Sequence, residues 1–172
     1  MRILGIDPGY AIVGYGLIHY ENGNCQNIGY GAITTDSNMD FNMRLEYIYD
    51  RMTLLLSKSR PDAISIERLY FQNNQKTAIG VAEARGVILL AGMKAGVEIF
   101  EYTPLQVKVS ITGYGKAEKP QMMASIQRLL GLKEIPRPDD AADALGLAIC
   151  HGRMGSTKLK RDMIHRRHKS GF

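Results

Sequence analysis

Short apolar segments alternate with longer amphipathic segments along this chain. Apolar runs of four to eight residues are typical of β-strands, whereas apolar residues three or four positions apart are typical of helices. Phe41, Leu45 and Ile48 begin a helical stripe that continues to Met52 and Leu55, and the segment 60–62, which contains a proline, ends it. The pattern predicts strands at 2–6, 13–20, 26–34, 63–66 and 97–102, and further helices at 77–95, 120–130 and 139–151.

The order of these elements places three strands first and then alternates helices with strands. The segments 13–20 and 26–34 flank the turn-forming sequence Asn22-Gly23, so we expect an antiparallel hairpin. Together the elements predict an α/β protein with a mixed sheet and helices packed on it. No apolar periodicity continues beyond residue 152, so we predict one domain over 1–152 and a tail at 153–172 that is disordered or ordered by a partner.

The composition fits a single globular domain without disulfides or zinc. With 172 residues and 45% hydrophobic content, the chain is long enough for a stable core and short for a two-domain enzyme. The two cysteines, Cys25 and Cys150, lie outside any zinc or disulfide spacing, which favours reduced thiols. The chain contains no long apolar run and no signal-peptide pattern, so we expect a cytoplasmic protein that does not enter a membrane.

The net charge of +5 is concentrated at one end of the chain. Residues 153–172 contain seven Lys and Arg residues against the single acid Asp162, so the rest of the chain is close to neutral. A basic tail suits a polyanionic partner such as nucleic acid, although such tails also serve only to keep proteins soluble. Charge alone leaves these two interpretations equally open.

Two acidic residues, Asp7 and Glu67, follow directly on predicted strands. An unpaired carboxylate at the edge of the core is costly, so each needs a cation, a metal ion or hydrogen-bond donors. If the two strands pair in parallel, both carboxylates emerge at the same edge of the sheet. The alternatives are that Asp7 caps its own turn at Gly9 and that Glu67 forms an ion pair with Arg68.

A second pair of acids, Asp140 and Asp143, lies in the last predicted helix. Their i, i+3 spacing places both on one face of that helix. The alternative is that they are ordinary helix-start acids, favoured by the helix dipole, with Asp139 as the N-cap. Together with Asp7 and Glu67 they form an all-oxygen set, which indicates Mg²⁺ or Mn²⁺ and not zinc. Two such ions about 3.5–4 Å apart can hydrolyse a phosphodiester.

Several motifs occur in an order that resembles the RuvC family of Holliday-junction resolvases. The resemblance extends over residues 1–152 and leaves the tail outside. The acidic helix motif makes the series specific, because strand-turn motifs like the first one also occur in actin-like ATPases. The motifs are Gly5-Ile-Asp-Pro-Gly9, Gly14-Tyr-Gly16, Ile66-Glu67 with Arg68-Leu-Tyr-Phe71, Glu83-Ala-Arg-Gly86, the lysine loop 113–119 and Asp140-Ala-Ala-Asp-Ala-Leu145.

The resemblance implies a ribonuclease H-like α/β fold with a mixed five-stranded sheet flanked by helices. It also implies a homodimer that nicks two like-polarity strands of a four-way DNA junction in recombination and repair, with a branch-migration helicase as a companion. The family's catalytic, metal-binding carboxylates correspond to Asp7, Glu67, Asp140 and Asp143. The expected cofactor is Mg²⁺, two ions per site, with Mn²⁺ as a substitute.

The same resemblance assigns DNA contacts to aromatic and basic residues. An aromatic that stacks near the junction centre corresponds to Tyr70 or Phe71. Phosphate contacts correspond to Lys108 and Lys119, and Lys116 from the glycine-containing loop is a further candidate. The alternatives are that the lysines are ordinary surface residues and that the aromatics pack on a helix or a second subunit. We expect structural or tail roles for His19, His151, His165 and His168.

Four other functions share part of this pattern. An actin-like ATPase needs a second domain, and a ribonuclease H proper takes its glutamate from a helix, whereas Glu67 follows a strand. A non-catalytic junction-binding protein does not need four converging acids. A related nuclease that acts on another nucleic acid is left open by the sequence.

Overall fold

The structure, a computed structural model, describes the backbone of residues 1–68 and 75–169 and the side chains of 1–68 and 77–155. This part of the chain contains all five predicted strands, all four predicted helices and one additional short helix. The elements are β1 (Arg2–Asp7), β2 (Ile12–Glu21), β3 (Asn24–Thr34), α1 (Phe41–Ser59), β4 (Ala63–Glu67), α2 (Gln75–Lys94), β5 (Glu98–Tyr102), α3 (Pro104–Thr112), α4 (Lys119–Leu130) and α5 (Asp139–Lys169).

The five strands form one mixed sheet in the order β3-β2-β1-β4-β5. β2 pairs antiparallel with both β1 and β3, as the hairpin pattern predicts, while β4 pairs parallel with β1 and β5. The predicted mixed five-stranded α/β fold is therefore confirmed. Because parallel neighbours run in the same direction, the carboxyl ends of β1, β4 and β5 lie at the same edge of the sheet.

Helices cover both faces of the sheet, since successive residues of each strand point to opposite sides. Leu4 and Ile6 of β1 pack into one core with α1 and α2. Ile3 packs into a second core with α3, α4 and α5. Gly5 and Asp7 share the side of Ile3, so they face α5.

α5 approaches β1 and β2 closely because glycines leave room for it. A Cβ atom on Gly5 would lie 2.8 Å from a backbone nitrogen of α5, and one on Gly14 would lie 2.9 Å from the Asp140 Cβ atom. Both distances are shorter than real Cβ atoms adopt. On β4, the buried Ser65 hydroxyl donates a hydrogen bond of 2.7 Å to the Leu147 carbonyl oxygen. These contacts fix α5 over the central strands of the sheet.

α3 is the element that the hydrophobic pattern does not predict. It is nine residues long and buries only Val107 and Ile111, too few to produce a clear periodicity. Its start does carry a local signal, because Thr103 and Gln106 form a capping box and a proline occupies the first turn. The helix carries Lys108, one of the lysines singled out in the sequence.

α5 continues further than the sequence analysis predicted. We expected the helix to end at His151 and the tail 153–172 to be disordered or ordered by a partner, but α5 reaches Lys169. Up to that residue the tail contains no proline and a single glycine, so nothing stops a helix that begins in the core. Arg153 also donates a hydrogen bond to the Ser110 carbonyl oxygen, which ties it to the folded body. Apolar periodicity therefore does not mark where this helix ends.

Candidate active site

Asp7 and Glu67 lie side by side at the carboxyl ends of two parallel strands. Asp7 is the last residue of β1, and Glu67 is the last residue of β4. The parallel register pairs Ile6 with Ile66, so the two acids follow at the next position on neighbouring strands. Both side chains point to the face that α5 covers. The structure therefore brings the two strand-end carboxylates to one edge of the sheet.

α5 brings Asp140 and Asp143 to the same edge. In the antiparallel register Asp7 lies opposite Gly14, and the backbone of Asp140 packs directly on Gly14. Asp143 lies one turn further along the helix and lines a pocket together with Glu67. The glycine at position 14 thus sets how closely the helix acids approach the strand acids.

The four carboxylates influence one another electrostatically. The pKa of Asp7 is raised from 3.8 to about 8, first by burial and then by the negative charges of Glu67, Asp143 and Asp140. The pKa of Glu67 is raised by burial and by Asp143. Burial also raises the pKa of Asp143, and the nearby Lys119 opposes that increase. Buried acids that repel one another in this way form an environment that a divalent cation stabilises.

Lys119, the first residue of α4, reaches into this acidic cluster. Its ammonium nitrogen lies 3.4 Å from Oδ2 of Asp143 and 3.1 Å from Oδ2 of Asp139. Asp139 also accepts a hydrogen bond of 2.5 Å from Arg137, and its pKa is lowered mainly by its hydrogen bond with Lys119. Asp139 is thus a residue of α5 that binds Lys119, and not the N-cap considered above. No local pattern indicates this contact, because its partners are distant in sequence.

A pocket of about 280 Å³ opens beside the carboxylates. Glu67, Asp143 and Lys119 line it, together with Lys108 from α3. Two of the three lysines singled out in the sequence therefore lie at the same pocket, whereas Lys116 is exposed and does not line it. The remaining wall is apolar and consists of Pro104, Val107, Met122 and Leu147.

Two alternatives, an ion pair between Glu67 and Arg68 and a site in another groove, do not fit the structure. Arg68 and Arg85 both pair with Glu101 on β5, so the arginine next to Glu67 has another carboxylate as its partner. A larger groove, of about 730 Å³, lies between the carboxyl ends of α1 and α2, but no acid lines it. The chemistry of the smaller pocket, and not the size of the larger groove, identifies the candidate site.

The remaining sequence candidates fall into two groups. Tyr70 and Phe71, the predicted stacking aromatics, lie outside the described residues. His151 is buried, is hydrogen-bonded through Nδ1 to the Tyr102 hydroxyl at 2.8 Å and stacks on Phe100. Burial lowers the pKa of His151 to about 4, so the ring is neutral at physiological pH. A structural role for this histidine is therefore confirmed.

Central strands that end in carboxylates, beneath a helix that carries two more, define a nuclease of the ribonuclease H-like class. Comparison with known proteins identifies the family within this class. The family model described as "Crossover junction endodeoxyribonuclease RuvC" matches residues 3–151. The chain belongs to this family.

Individual relatives agree with the family match along almost the whole chain. The crossover junction endodeoxyribonuclease RuvC of Ruminiclostridium cellulolyticum is 54% identical over 159 residues, which cover 91% of this chain and 96% of that protein. The RuvC structure of Thermus thermophilus, 33% identical, has a TM-score of 0.82 over 90% of this chain and 97% of that one. A T. thermophilus RuvC structure in complex with a Holliday junction substrate gives a TM-score of 0.85 at 33% identity, with 90% and 96% of the two chains covered. The family that the motifs indicated is therefore confirmed.

Proposed function

We propose that this protein resolves four-way (Holliday) DNA junctions by nicking two strands of like polarity, and so acts in homologous recombination and DNA repair. The observation that carries the proposal is that four carboxylates from three elements, Asp7, Glu67, Asp140 and Asp143, share one edge of the sheet. The T. thermophilus relative with the same fold has been solved with a Holliday junction substrate, which supports the same substrate here.

We propose that these carboxylates bind Mg²⁺, two ions per site, and that Mn²⁺ can replace it. An all-oxygen donor set suits these hard cations. The pKa of Asp7, raised to about 8, supports the proposal because a cation would offset the repulsion from the neighbouring acids. Asp7, Glu67, Asp140 and Asp143 together would hold the ions. Among the described side chains no three acids converge tightly enough for an ion as they stand, so binding has to draw them closer.

When bound, such ions activate water for in-line attack on a phosphodiester and stabilise the departing oxygen. The protein's own residues supply orientation. Asp140 or Asp143 would position the attacking water, since both lie on the helix that covers the strand-end acids. Lys108 and Lys119 would hold the scissile phosphate, because both line the pocket beside Glu67.

Further DNA contacts would surround the pocket. We propose that Tyr70 or Phe71 stacks on bases near the junction centre, since this segment directly follows the strand that ends in Glu67. Lys116 would add a phosphate contact from the exposed loop between α3 and α4.

One experiment separates this function from its alternatives. The protein is incubated with a synthetic mobile four-way junction, a DNA duplex and an RNA–DNA hybrid, each with Mg²⁺ or with EDTA. We expect paired nicks in two like-polarity strands, confined to the junction and dependent on Mg²⁺. Cleavage of the hybrid would instead favour a related nuclease acting on another nucleic acid. Tight junction binding without cleavage in Mg²⁺ would favour a non-catalytic junction-binding protein.

Asp7→Asn tests whether the acidic edge carries the reaction. We expect cleavage to fall at least a thousandfold while junction binding remains within about threefold, because the amide keeps the shape and removes the charge. Asp50→Asn, an exposed acid on α1, is the matched control and should cleave normally. Loss of junction binding in Asp7→Asn would mean that Asp7 has a structural role and that the site is elsewhere.

We propose that the protein works as a homodimer, because symmetric nicking of two strands needs two active sites. α2 offers a surface for a second copy, since Ile79, Leu90 and Met93 lie on one helical face and are 65%, 53% and 67% exposed. Gly86 lies on the same face, and a Cβ atom there would meet nothing within 4 Å, so another helix can approach closely.

Light scattering on single-residue variants tests the dimer. Leu90→Glu should convert the protein to a monomer, because it places a charge in the centre of the apolar face. Ile28→Glu, on the edge strand β3 and 46% exposed, is the matched control and should remain dimeric. A wild-type protein that is monomeric at micromolar concentration with junction bound would contradict the proposal.

We further propose that 1–152 forms the nuclease unit and that the basic tail 153–172 contacts DNA. We also propose that the protein works in the cytoplasm, together with a branch-migration helicase. None of the described helices is long and apolar enough to cross a membrane. Both cysteines are free, which suits a reducing compartment. The protein should increase the amount of a purified branch-migration helicase that immobilised junction DNA retains, and equal retention with and without the protein would contradict that partnership.

A further inference from the structure

The ammonium group of Lys119 lies between two carboxylates that have different places in the site. Asp143 belongs to the set of acids proposed to bind metal, and its Oδ2 atom lies 3.4 Å from the Lys119 nitrogen. Asp139 does not belong to that set, and its Oδ2 atom is closer, at 3.1 Å. Lys119 also opposes the rise in the pKa of Asp7 that the neighbouring acids cause. One cation of the protein itself therefore partly neutralises the cluster.

Local contacts fix the residues on both sides of this ion pair. Lys119 begins α4, and the preceding Glu118 forms a capping box with Gln121, which fixes where the helix starts. On the other side, Asp139 is held by Arg137 as well as by Lys119. The lysine side chain is about half exposed, at 54%, so its ammonium group can move without disturbing the core.

We propose that Lys119 is a built-in counter-ion that a metal ion has to displace from Asp143, and that Asp139 retains the displaced lysine beside the pocket. The inference rests on the proposed metal site and goes beyond it by giving Asp139 a role as a positioning residue. An ammonium group and a dication cannot both lie against one carboxylate without strong repulsion. When Asp143 turns to the metal, Lys119 keeps its contact with Asp139 and remains at the rim of the pocket, where a phosphate enters.

The other lysines of the region provide the contrast that makes the inference testable. Lys108 lines the same pocket, yet the structure gives it no ion pair with a described carboxylate. Removal of Lys108 therefore removes the same charge from the same pocket without removing a competitor for Asp143. Lys119, and not Lys108, is among the charges that act on Asp7 and Asp143. The Lys108 variant therefore controls only for the loss of a charge at the pocket, and the Asp139 variants test the competition itself.

Calorimetric titration of the DNA-free protein with Mn²⁺ measures the competition directly. Lys119→Met should bind Mn²⁺ about fivefold more tightly than the wild type, because the ion no longer has to break an ion pair. Lys108→Met should change the affinity less than twofold. Asp139→Asn should weaken Mn²⁺ binding about threefold, because Lys119 then has only Asp143 as a partner. In the Lys119→Met background, Asp139→Asn should have almost no effect, since the residue acts through the lysine.

Two results would overturn the inference without touching the proposed function. One is equal tightening by Lys119→Met and Lys108→Met, and the other is weakening by Asp139→Asn that persists when Lys119 is absent. The proposed metal site itself is tested by Asp7→Asn in the same titration. If the wild type binds Mn²⁺ and Asp7→Asn does not reduce that binding, the metal site is wrong, whatever the lysine variants do.

Discussion

Gly14 lies directly beneath the first turn of α5, where the backbone and Cβ atom of Asp140 occupy the space that a side chain at position 14 would need. Gly14 is also the antiparallel partner of Asp7. One residue without a side chain therefore allows a helix acid and a strand acid to share the edge of the sheet. The spacing of the acids depends on this close approach as much as on the acids themselves.

Gly14→Ala should damage stability and cleavage together. The added methyl group collides with helix backbone, which cannot rotate away, so we expect a loss of about 1–3 kcal/mol in the free energy of unfolding. Cleavage should fall at least tenfold, since a shift of about 1 Å misplaces Asp140. Urea unfolding and junction cleavage measure the two effects. Gly29→Ala, where a Cβ atom meets nothing within 4 Å, is the control and should change neither.

Asp7→Asn should stabilise the metal-free protein in a pH-dependent way. The pKa of Asp7 is about 8 in the folded protein and 3.8 as a model value, so between these pH values only the folded state keeps the proton. The contribution of Asp7 to the free energy of unfolding is therefore complete below about pH 4. It is lost as the pH rises from about 4 to 8, because the buried carboxyl then has to ionise in the folded state.

Thermal and urea unfolding in EDTA test that pH dependence. The variant should exceed the wild type by about 2–4 kcal/mol at pH 8, and the difference should shrink towards pH 4. Saturating Mg²⁺ should stabilise the wild type more than the variant. A difference that does not depend on pH would show that the Asp7 carboxyl is not strained in the folded state.

His151 should make the fold sensitive to mild acid. Burial lowers the pKa of His151 from 6.5 to about 4, so the unfolded state takes up a proton first as the pH falls. Its contribution to stability is complete above about pH 6.5 and is lost towards pH 4. Relative to His151→Gln, the wild type should lose about 2 kcal/mol between pH 7.5 and pH 5. A wild-type pH profile that runs parallel to that of His151→Gln would contradict the prediction.

The sheet and the strand-end acids could be predicted because they depend on local patterns. Alternating apolar residues define the strands, and an acid that directly follows a strand must lie at its end, as Asp7 and Glu67 do. The helix acids were predictable from their spacing. The sequence did not show whether the two strands pair in parallel, and the prediction of a shared edge depended on that assumption. The structure shows that β1 and β4 are parallel.

The parts that could not be predicted depend on tertiary contacts or on short elements. The contact between Lys119 and Asp139 joins the start of α4 to the start of α5, and no spacing along the chain encodes it. α3 buries too few residues to show a period, so apolar patterning did not place Lys108 at the pocket, and only the family resemblance singled out this lysine. The sequence beyond residue 152 shows no apolar periodicity, so the extension of α5 to Lys169 was not predictable from the pattern.

Deletion of residues 156–172 should weaken junction binding mainly at low salt. The deletion removes six basic residues and one acid but keeps Arg153, which contacts Ser110 in the folded body. If the tail meets phosphates, the slope of log affinity against log salt should become shallower by about two to five units, because fewer counterions are released. Fluorescence anisotropy at several salt concentrations measures this slope. Deletion of 170–172, which removes no charged side chain, is the control and should keep the wild-type slope. An unchanged slope in the longer deletion would show that the tail does not contact DNA and serves solubility instead.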